Sequence, residues 1–181
     1  ALSSAASDVY KRQGIEPVPI SVNISREYIH TFDVVGEMLH LVNKYDIPIK
    51  LLELEITETT DSEGVSDVVQ KMKDAGFTML MDDFGSGYSS LNMLQKTQFD
   101  VLKIDRGFLS EFMESSRGRK IISHTISMSR DIGLDIIAEG VETPEQASFL
   151  SDCGCDSAQG FYYSKPITQE EFDKMLVEVN K

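Results

Sequence analysis

The stretch Phe77-Thr-Met-Leu-Met-Asp-Asp-Phe-Gly85 decides the fold, because an apolar run ends here in two adjacent aspartates. The run Phe77–Met81 is apolar at nearly every position, which is typical of a strand covered on both faces in a parallel sheet. Gly76, directly before it, is a helix-stop signal, so we expect a helix to precede the strand. Asp82 and Asp83 then lie at the C-terminal end of the strand. The stretch therefore indicates one unit of an α/β fold whose strand delivers two carboxylates.

The same alternation of short apolar runs and amphipathic helical patterns continues along the chain from Gly14 onward. The predicted strands are Val18–Ile24, Ile49–Ile56, Phe77–Met81, Val101–Ile104, Asp135–Ala138 and Gln159–Tyr163. The helical patterns between them are Phe32–Tyr45, Asp61–Ala75 and Ser115–Ile132, followed by capped helices that start at Thr143 and Thr168. Repeating units of this kind in one domain indicate either a doubly wound sheet or a βα barrel.

Polar side chains at the strand ends decide between these two folds. Nearly every predicted strand ends in a residue suited to metal or phosphate, namely Asn23, Glu55, Asp82, Asp83, Lys103, Asp105, Glu139 and, at the start of the sixth run, Gln159. In a βα barrel all strand ends converge on one mouth, whereas in a doubly wound sheet only those near the switch point meet. A single such carboxylate is most often a helix cap, but a succession of them favours the barrel. We predict a TIM-type βα barrel that is incomplete, since 181 residues fall short of the roughly 250 usual for that fold.

Carboxylates gathered at one mouth repel one another unless cations neutralise them. The oxygen-bearing set suits hard divalent ions such as Mg²⁺ or Mn²⁺, and it consists of Asn23, Glu55, Asp82, Asp83 and Glu139. Adjacent aspartates allow one carboxylate to bridge two ions while its neighbour binds the second, as in two-metal phosphoryl hydrolases. Lys103 lies where it would orient an attacking water or offset charge in the transition state.

Composition limits the classes of partner. The net charge of -13 argues against DNA or RNA as a ligand, although bound cations would still admit a small anionic substrate. No apolar run approaches the 18 residues of a membrane span, and Cys153 and Cys155 have the spacing of neither a zinc site nor a disulfide framework. We therefore predict a cytoplasmic domain with reduced thiols, whose parent protein would reach a membrane only through regions outside this sequence.

Six motifs, in order, resemble those of the EAL-type cyclic di-GMP phosphodiesterases. They are Ser21-Val-Asn-Ile-Ser25, Leu54-Glu-Ile-Thr-Glu58, Asp82-Asp-Phe-Gly-Ser-Gly-Tyr-Ser-Ser90, Leu102-Lys-Ile-Asp105, Ala138-Glu-Gly-Val-Glu142 and Gln159-Gly-Phe-Tyr-Tyr-Ser-Lys-Pro166. The resemblance covers residues 14–181, and the third motif is the most specific. An unrelated metal-dependent barrel of the aldolase or enolase type is disfavoured by that motif.

The resemblance implies hydrolysis of cyclic di-GMP to linear pGpG with two Mg²⁺ or Mn²⁺ ions. By motif, Asn23, Glu55 and Asp82 would hold the first ion. Asp82 would bridge to the second ion, which Asp83 and Glu139 would complete. The catalytic set would be Lys103, which contacts the nucleophilic water, together with Glu139 and Glu58.

The resemblance also assigns the surroundings of this centre. Glu58 would brace a loop that includes Phe84, Gly85, Gly87 and Tyr88 and that couples metal binding, substrate binding and contacts of a homodimer. The substrate-binding residues would be Gln159, Asp105, Glu142 and Pro166. Ordinary helix-start capping is the alternative for Glu58, Asp105 and Glu142.

Two features set this chain apart from the family pattern. The Glu-Ala-Leu motif, whose glutamate is a first-ion ligand, lies on a strand that has no counterpart here, so the resemblance implies that the first strand and helix region of the barrel is missing. We therefore expect the parent protein to be the active enzyme and this fragment to be inactive. The helical region after Glu58 is also a few residues shorter than in the family pattern. Residues 3–13 resemble a translated sequencing adapter, so we predict that residues 1–13 are an artefactual or disordered tail on a partial domain at 14–181, with upstream regulatory domains lost. The alternatives are a genuine flexible tail and, for function, a module that senses cyclic di-GMP without cutting it.

Overall fold

The computed structural model describes residues 17–31, 33–57, 64–87 and 90–179. Six strands form one parallel sheet, namely β1 (Ile20–Asn23), β2 (Leu52–Thr57), β3 (Thr78–Phe84), β4 (Val101–Ile104), β5 (Asp135–Ala138) and β6 (Ser157–Ala158). Their order in the sheet is their order in the sequence. A doubly wound sheet reverses its strand order at a switch point, so this sequential order belongs to a βα barrel. The prediction of an incomplete TIM-type barrel is confirmed.

Helices follow the strands along the described part of the chain. They are α1 (Arg26–Thr31), α2 (Val34–Lys44), α3 (Val65–Asp74), α4 (Ser90–Lys96), α5 (Arg106–Met113), α6 (Ser116–Asp131), α7 (Pro144–Asp152) and α8 (Gln169–Val179), with a 3₁₀ turn at Ile49–Leu51. None of the helices in the described ranges has the length and hydropathy that a membrane crossing requires.

Local capping chemistry explains where several helices begin, as the sequence predicts. The Ser115 hydroxyl accepts a hydrogen bond from the Gly118 amide at 2.9 Å and starts α6. Thr143 and Gln146 form a reciprocal capping box at α7. At α8, the Glu171 carboxylate accepts from the amide of Thr168 at 2.8 Å. These side chains satisfy backbone amides that have no partner within the helix.

The core divides into two apolar layers on the helix side of the sheet. The first lies between β1–β3 and helices α2 and α3, and it includes Leu54, Ile56, Val69, Met72, Met79 and Met81. The second lies between β4–β5 and helices α5, α6 and α7, and it includes Ile104, Leu109, Ile122, Ile126, Ile136 and Leu150. Side chains alternate along a strand, so residues between these apolar positions point to the interior of the barrel. That alternation carries Glu55 and Lys103 inward.

Four predicted strand boundaries are wrong, and the smallest difference is at β1, which is Ile20–Asn23 rather than Val18–Ile24. The strand predicted at Ile49–Ile56 begins with a 3₁₀ turn and becomes extended only at Leu52. The strand predicted at Phe77–Met81 continues through both aspartates to Phe84. The sixth strand is Ser157–Ala158 rather than Gln159–Tyr163, because Tyr163 donates its amide to the Gly160 carbonyl and the chain turns.

The helix pattern at Phe32–Tyr45 is also interrupted near its start. The Asp33 carboxylate accepts a hydrogen bond from the Gly36 amide at 3.1 Å and starts α2, while α1 precedes it as a separate helix. The sequence analysis missed α1, α4 and α5. The predicted tail at residues 1–13 and the start of the predicted helix at 61–63 lie outside the described residues. Cys153 and Cys155 are free thiols.

Candidate active site

The end of β3 brings two adjacent carboxylates to one side of the sheet. In a regular strand, neighbouring side chains point to opposite faces. Here the pairing with β4 shifts register between Met81 and Phe84, and Asp83 adopts a left-handed backbone with a φ of 58°. Aspartate tolerates that conformation better than most residues, at a cost of about 1–2 kcal/mol. Oxygen atoms of Asp82, Asp83 and Glu139 consequently lie within 4.8 Å of one another.

Lys103 lies at the centre of the neighbouring carboxylates. Its Nζ is 2.7 Å from Glu139 Oε1, 2.8 Å from Glu55 Oε1 and 2.9 Å from Asp82 Oδ1. We call these four residues the Lys103 cluster. They come from β2, β3, β4 and the end of β5, so the sheet is curled enough for one ammonium to reach three other strands. The Lys103 side chain is only 7% exposed.

Burial and charge oppose each other at Lys103. Burial on its own would lower the pKa of the ammonium, but the contacts with the surrounding carboxylates outweigh it and raise that pKa well above its ordinary value. Lys103 is therefore charged, and it offsets part of the negative charge of the cluster. Three carboxylates against one ammonium still leave the cluster with net negative charge.

The pKa values of two carboxyl groups at this rim are raised. Burial raises the pKa of Glu139, with contact with Lys103 opposing it and repulsion from Asp82 and Glu55 adding to it. Burial also raises the pKa of Asp83, with repulsion from Asp82 and Asp105 in the same direction. Burial is the largest cause of both shifts, and repulsion between neighbouring carboxylates adds to it.

One buried carboxylate oxygen depends on a single partner. Asp82 Oδ1 lies 2.9 Å from the Lys103 ammonium, and no other donor in the described part of the chain reaches this atom. The same ammonium also contacts Glu55 and Glu139. An all-oxygen set of carboxylates that shares one ammonium fits a hard divalent cation.

The remaining predicted ligand, Asn23, is placed by strand register. It pairs with Glu55 across the β1–β2 ladder, so its position is one strand away from the Lys103 cluster. Its side chain is exposed. The structure thus groups Glu55, Asp82 and Glu139 around Lys103, and it puts Asn23 on the adjoining strand.

A groove opens beside the cluster on the β5–β6 side of the rim. It has a volume of about 490 Å³, and we call it the rim groove. Its lining includes three predicted site residues besides Glu139, namely Gln159, Glu142 and Pro166. The side-chain nitrogen Nε2 of Gln159 donates a hydrogen bond to Glu139 Oε1 at 2.7 Å, and this contact joins the rim groove to the Lys103 cluster.

Asp105 has a structural task at the same rim. Its carboxylate accepts hydrogen bonds from the amides of Gly107 at 2.8 Å and Phe108 at 3.2 Å, and it caps α5. This is the capping alternative that the sequence leaves open. Glu142 does not cap a helix, because Thr143 is the capping residue of α7.

The loop after β3 is packed tightly against α5. An ideal Cβ at Gly85 would lie 2.4 Å from Cδ2 of Phe108, and the backbone there has a φ of +96°, so no other residue fits without displacement. The rings of Phe84 and Phe108 meet edge to face with centroids 6.1 Å apart. Gly85 and Gly87 also line a second groove, between α4, α5 and α6. The predicted roles of Glu58 and Tyr88 lie outside the described residues.

The sequence analysis missed Arg106 and Phe161, which both line the rim groove. Arg106 follows Asp105 directly at the end of β4, so the strand-end rule that selected Asp105 would also have found it. Phe161 is 55% exposed, which is unusual for phenylalanine, but the aromatic run around it reads as a buried strand in the sequence.

Comparison with known proteins places this geometry in a family. The model of the EAL domain matches residues 1–166. The chain belongs to the EAL domain family. Among solved structures, the EAL domain of Mycobacterium smegmatis DcpA is 31% identical with a TM-score of 0.88, and the alignment covers 97% of this chain and 81% of that one. The phosphodiesterase PaMucR, solved in complex with c-di-GMP, is 32% identical with a TM-score of 0.83, over 94% of this chain and 70% of that one.

Curated relatives of this EAL domain are much longer proteins. Cyclic di-GMP phosphodiesterase NbdA of Pseudomonas aeruginosa is 31% identical over 166 residues, which are 90% of this chain and 21% of NbdA. The chain spans about a fifth to a quarter of the length of NbdA and three other curated relatives.

Proposed function

We propose that this EAL domain hydrolyses one phosphodiester bond of cyclic di-GMP to give linear pGpG. The observation that carries the proposal is the Lys103 cluster, in which four strands bring three carboxylates around one buried ammonium at one rim. The names of the relatives support the substrate, since NbdA is a cyclic di-GMP phosphodiesterase and PaMucR was solved with c-di-GMP.

Two Mg²⁺ or Mn²⁺ ions are the proposed cofactors. Asn23, Glu55 and Asp82 would hold the first ion; Asp82, Asp83 and Glu139 would hold the second. Bound ions of this kind supply Lewis-acid activation of the phosphodiester and lower the pKa of an attacking water. Support comes from the all-oxygen donor set and from carboxylates whose mutual repulsion a single ammonium offsets only in part.

The chain's own residues would then orient the reactants. Lys103 has three donors, so its ammonium would hold the attacking water against the carboxylates as it now holds the carboxylates themselves. Gln159 is bonded to Glu139 and lines the rim groove, so it would meet the substrate next to the ions. Glu142 and Pro166 would contact the substrate farther along the groove. Glu58 and Asp105 would act by bracing and capping.

Efficient turnover would belong to a longer protein. The printed sequence contains no Glu-Ala-Leu motif, whose glutamate would be a further ligand of the first ion. We propose that the 181-residue chain alone binds substrate weakly and turns it over slowly or not at all. Upstream regulatory domains would set its control.

A homodimer is the proposed assembly of the intact protein. The groove between α4, α5 and α6 has a volume of about 1060 Å³, and we call it the helix groove. Leu91 is 61% exposed on its edge and Ile121 39%. Exposed apolar side chains along a groove are typical of a protein interface, and this one adjoins the loop from Phe84 to Gly87.

The test compares two chains for production of pGpG from cyclic di-GMP in Mg²⁺ or Mn²⁺. A version extended upstream by a Glu-Ala-Leu segment should produce pGpG, and Ca²⁺ should inhibit it by displacing the active ions. Glu55→Ala and Asp82→Ala in that version should abolish turnover, and retained turnover would disprove the ligand assignment. Saturable binding of cyclic di-GMP without any cleavage by the extended version would favour the sensor alternative. Fast cleavage by the 181-residue chain would refute its proposed inactivity.

A further inference from the structure

Arg106 and Glu142 form an ion pair inside the rim groove. Arg106 Nη2 lies 2.6 Å from Glu142 Oε1, and both residues line the groove together with Gln159 and Phe161. The two side chains are 63% and 41% exposed. An ion pair with that exposure contributes about 0–1 kcal/mol to stability. A contribution to folding stability therefore does not explain why Arg106 and Glu142 pair, and their position in the rim groove suggests a role in ligand binding.

Arg106 has a fixed path to its partner. Arg106 is the first helical residue of α5, and its side chain crosses the backbone of Gly140. An ideal Cβ built on Gly140 would lie 2.2 Å from Arg106 Cγ. Gly140 also has a φ of +64°, so the site favours glycine for two reasons. The aliphatic stem of Arg106 is thus held against the β5–α7 connection, and its guanidinium is directed at Glu142.

Separate contacts hold the backbone and the side chain of Glu142. Its amide donates to Gln146 Oε1 at 2.7 Å, and Gln146 belongs to the capping box that starts α7. Within the described part of the chain, the ion pair with Arg106 is the contact that orients the Glu142 carboxylate. A carboxylate has about four acceptor positions, so Glu142 Oε2 remains available to a ligand while Oε1 meets Arg106.

An oriented carboxylate distinguishes guanine from adenine. The Watson–Crick edge of guanine offers two neighbouring donors, N1–H and the N2 amino group. The same edge of adenine has an acceptor at N1 and a donor at the N6 amino group. An ionised carboxylate is an acceptor only, so it pairs with the guanine edge and is repelled by N1 of adenine.

We propose that Arg106 is a positioning residue that holds the Glu142 carboxylate in the rim groove and so sets the preference for guanine over adenine in a cyclic dinucleotide. The inference rests on the proposed function, because it assumes that the groove takes a base of the substrate. It adds a residue and a basis for base selectivity. Arg106 acts through Glu142 rather than on the phosphates.

The test measures the affinity of the 181-residue chain for cyclic di-GMP and cyclic di-AMP, with Ca²⁺ present to prevent turnover. Arg106→Ala and Glu142→Gln should each weaken cyclic di-GMP binding by about tenfold without weakening cyclic di-AMP binding, which lowers the selectivity by at least about tenfold. Glu142→Gln should also strengthen cyclic di-AMP binding, because the new amide can donate to N1 of adenine. Arg106→Lys should restore part of the loss. In the double variant, Arg106→Ala should add no further loss to Glu142→Gln, because it acts through that carboxylate.

The chain offers a matched control for the ion pair itself. Arg119 Nη2 also lies 2.6 Å from a carboxylate, that of Glu145, but neither residue lines the rim groove. Glu145→Gln should leave both affinities unchanged. Equal weakening of both dinucleotides by Arg106→Ala would show a phosphate contact and overturn the inference, as would additive losses in the double variant. Absence of binding of both dinucleotides by the unsubstituted 181-residue chain would overturn the inference, whereas the proposed function is tested separately by production of pGpG in the extended version.

Discussion

Two sets of ion-paired side chains lie on one rim of this EAL domain, and they differ chiefly in burial. In the Lys103 cluster the ammonium is 7% exposed and the carboxylates of Glu55 and Asp82 are 5% and 11% exposed. In the pair of Arg106 and Glu142 the exposures are 63% and 41%. Water screens the second group and barely reaches the first, so the same chemical contact has different consequences at the two places.

In the Lys103 cluster, each buried charge needs a partner, because an unpaired buried charge lowers the folding stability. Breaking a buried ion pair by removing one partner costs about 3–5 kcal/mol, since the other charges stay behind without compensation. The exposed pair has no such penalty and is free to serve recognition. The difference teaches that stability measurements should detect the cluster, whereas selectivity measurements should detect the pair.

Among the variants that test this difference, replacement of Lys103 should change the free energy of unfolding most. Lys103→Met leaves three carboxylates facing one another, so we expect the free energy of unfolding in chelator to fall by about 3–5 kcal/mol. Urea unfolding of the metal-free chain measures it. Added Mg²⁺ should recover part of the loss, because the ion replaces the missing positive charge.

Lys73→Met is the matched control for that variant. Lys73 pairs with Asp100 at 2.8 Å, but the two side chains are 23% and 35% exposed. We expect a loss of about 0–1 kcal/mol. Equal losses in the two variants would contradict the claim that burial distinguishes the Lys103 cluster.

Packing behind the cluster should have the next largest effect. Gly85→Ala would drive a methyl group into the Phe108 ring and force an unfavourable backbone, so we expect a loss of about 1–3 kcal/mol in the free energy of unfolding. Gly133→Ala is the control, since its φ is +83° and no atom lies within 4 Å of the added carbon. Urea unfolding of both variants separates crowding from backbone strain. The same loss in both would show that the Phe108 contact contributes nothing.

The smallest change in stability should come from the capping contact between Thr168 and Glu171, which is exposed to solvent. Hydrogen bonds from the amide and hydroxyl of Thr168 lower the pKa of Glu171 from its ordinary value. Because the pKa is lower in the folded chain than in the unfolded chain, the contact stabilises α8 fully above the unfolded pKa, and this contribution is lost as pH falls through the folded pKa. Thr168→Ala removes the hydroxyl bond and should raise the Glu171 pKa toward its ordinary value in an NMR titration. No movement would mean that the amide alone accounts for the shift.

The sequence predicts the parts of the rim that follow from alternation and strand ends. Apolar runs identify five of the strands at or near their places, and residues at or near their ends identify Glu55, Asp82, Lys103 and Glu139. Capping at Thr143 and Thr168 follows from side-chain chemistry within a few residues. Such features are local, so a single sequence contains them.

Features that depend on the neighbouring strand could not be predicted in this way. The register shift at β3 and the left-handed Asp83 arise from pairing with β4, and no local propensity records them. The short β6 is defined by its ladder with β5, whereas the aromatic residues after it resemble a strand by composition alone. Arg106 gains its role from Gly140 and Glu142, which lie 34 and 36 residues away in the sequence.

Binding of Mn²⁺ to the metal-free chain, followed by electron paramagnetic resonance, tests the central claim most directly. The unsubstituted 181-residue chain should bind the ion saturably, and Asp82→Asn should weaken that binding by at least about tenfold, because Asp82 supplies a carboxylate oxygen within 4.8 Å of those of Asp83 and Glu139. Asp135→Asn, at the opposite end of β5, should bind like the unsubstituted chain. Equal Mn²⁺ affinity in the unsubstituted chain and in Asp82→Asn, or no saturable binding by the unsubstituted chain, would contradict a divalent-cation site at this rim.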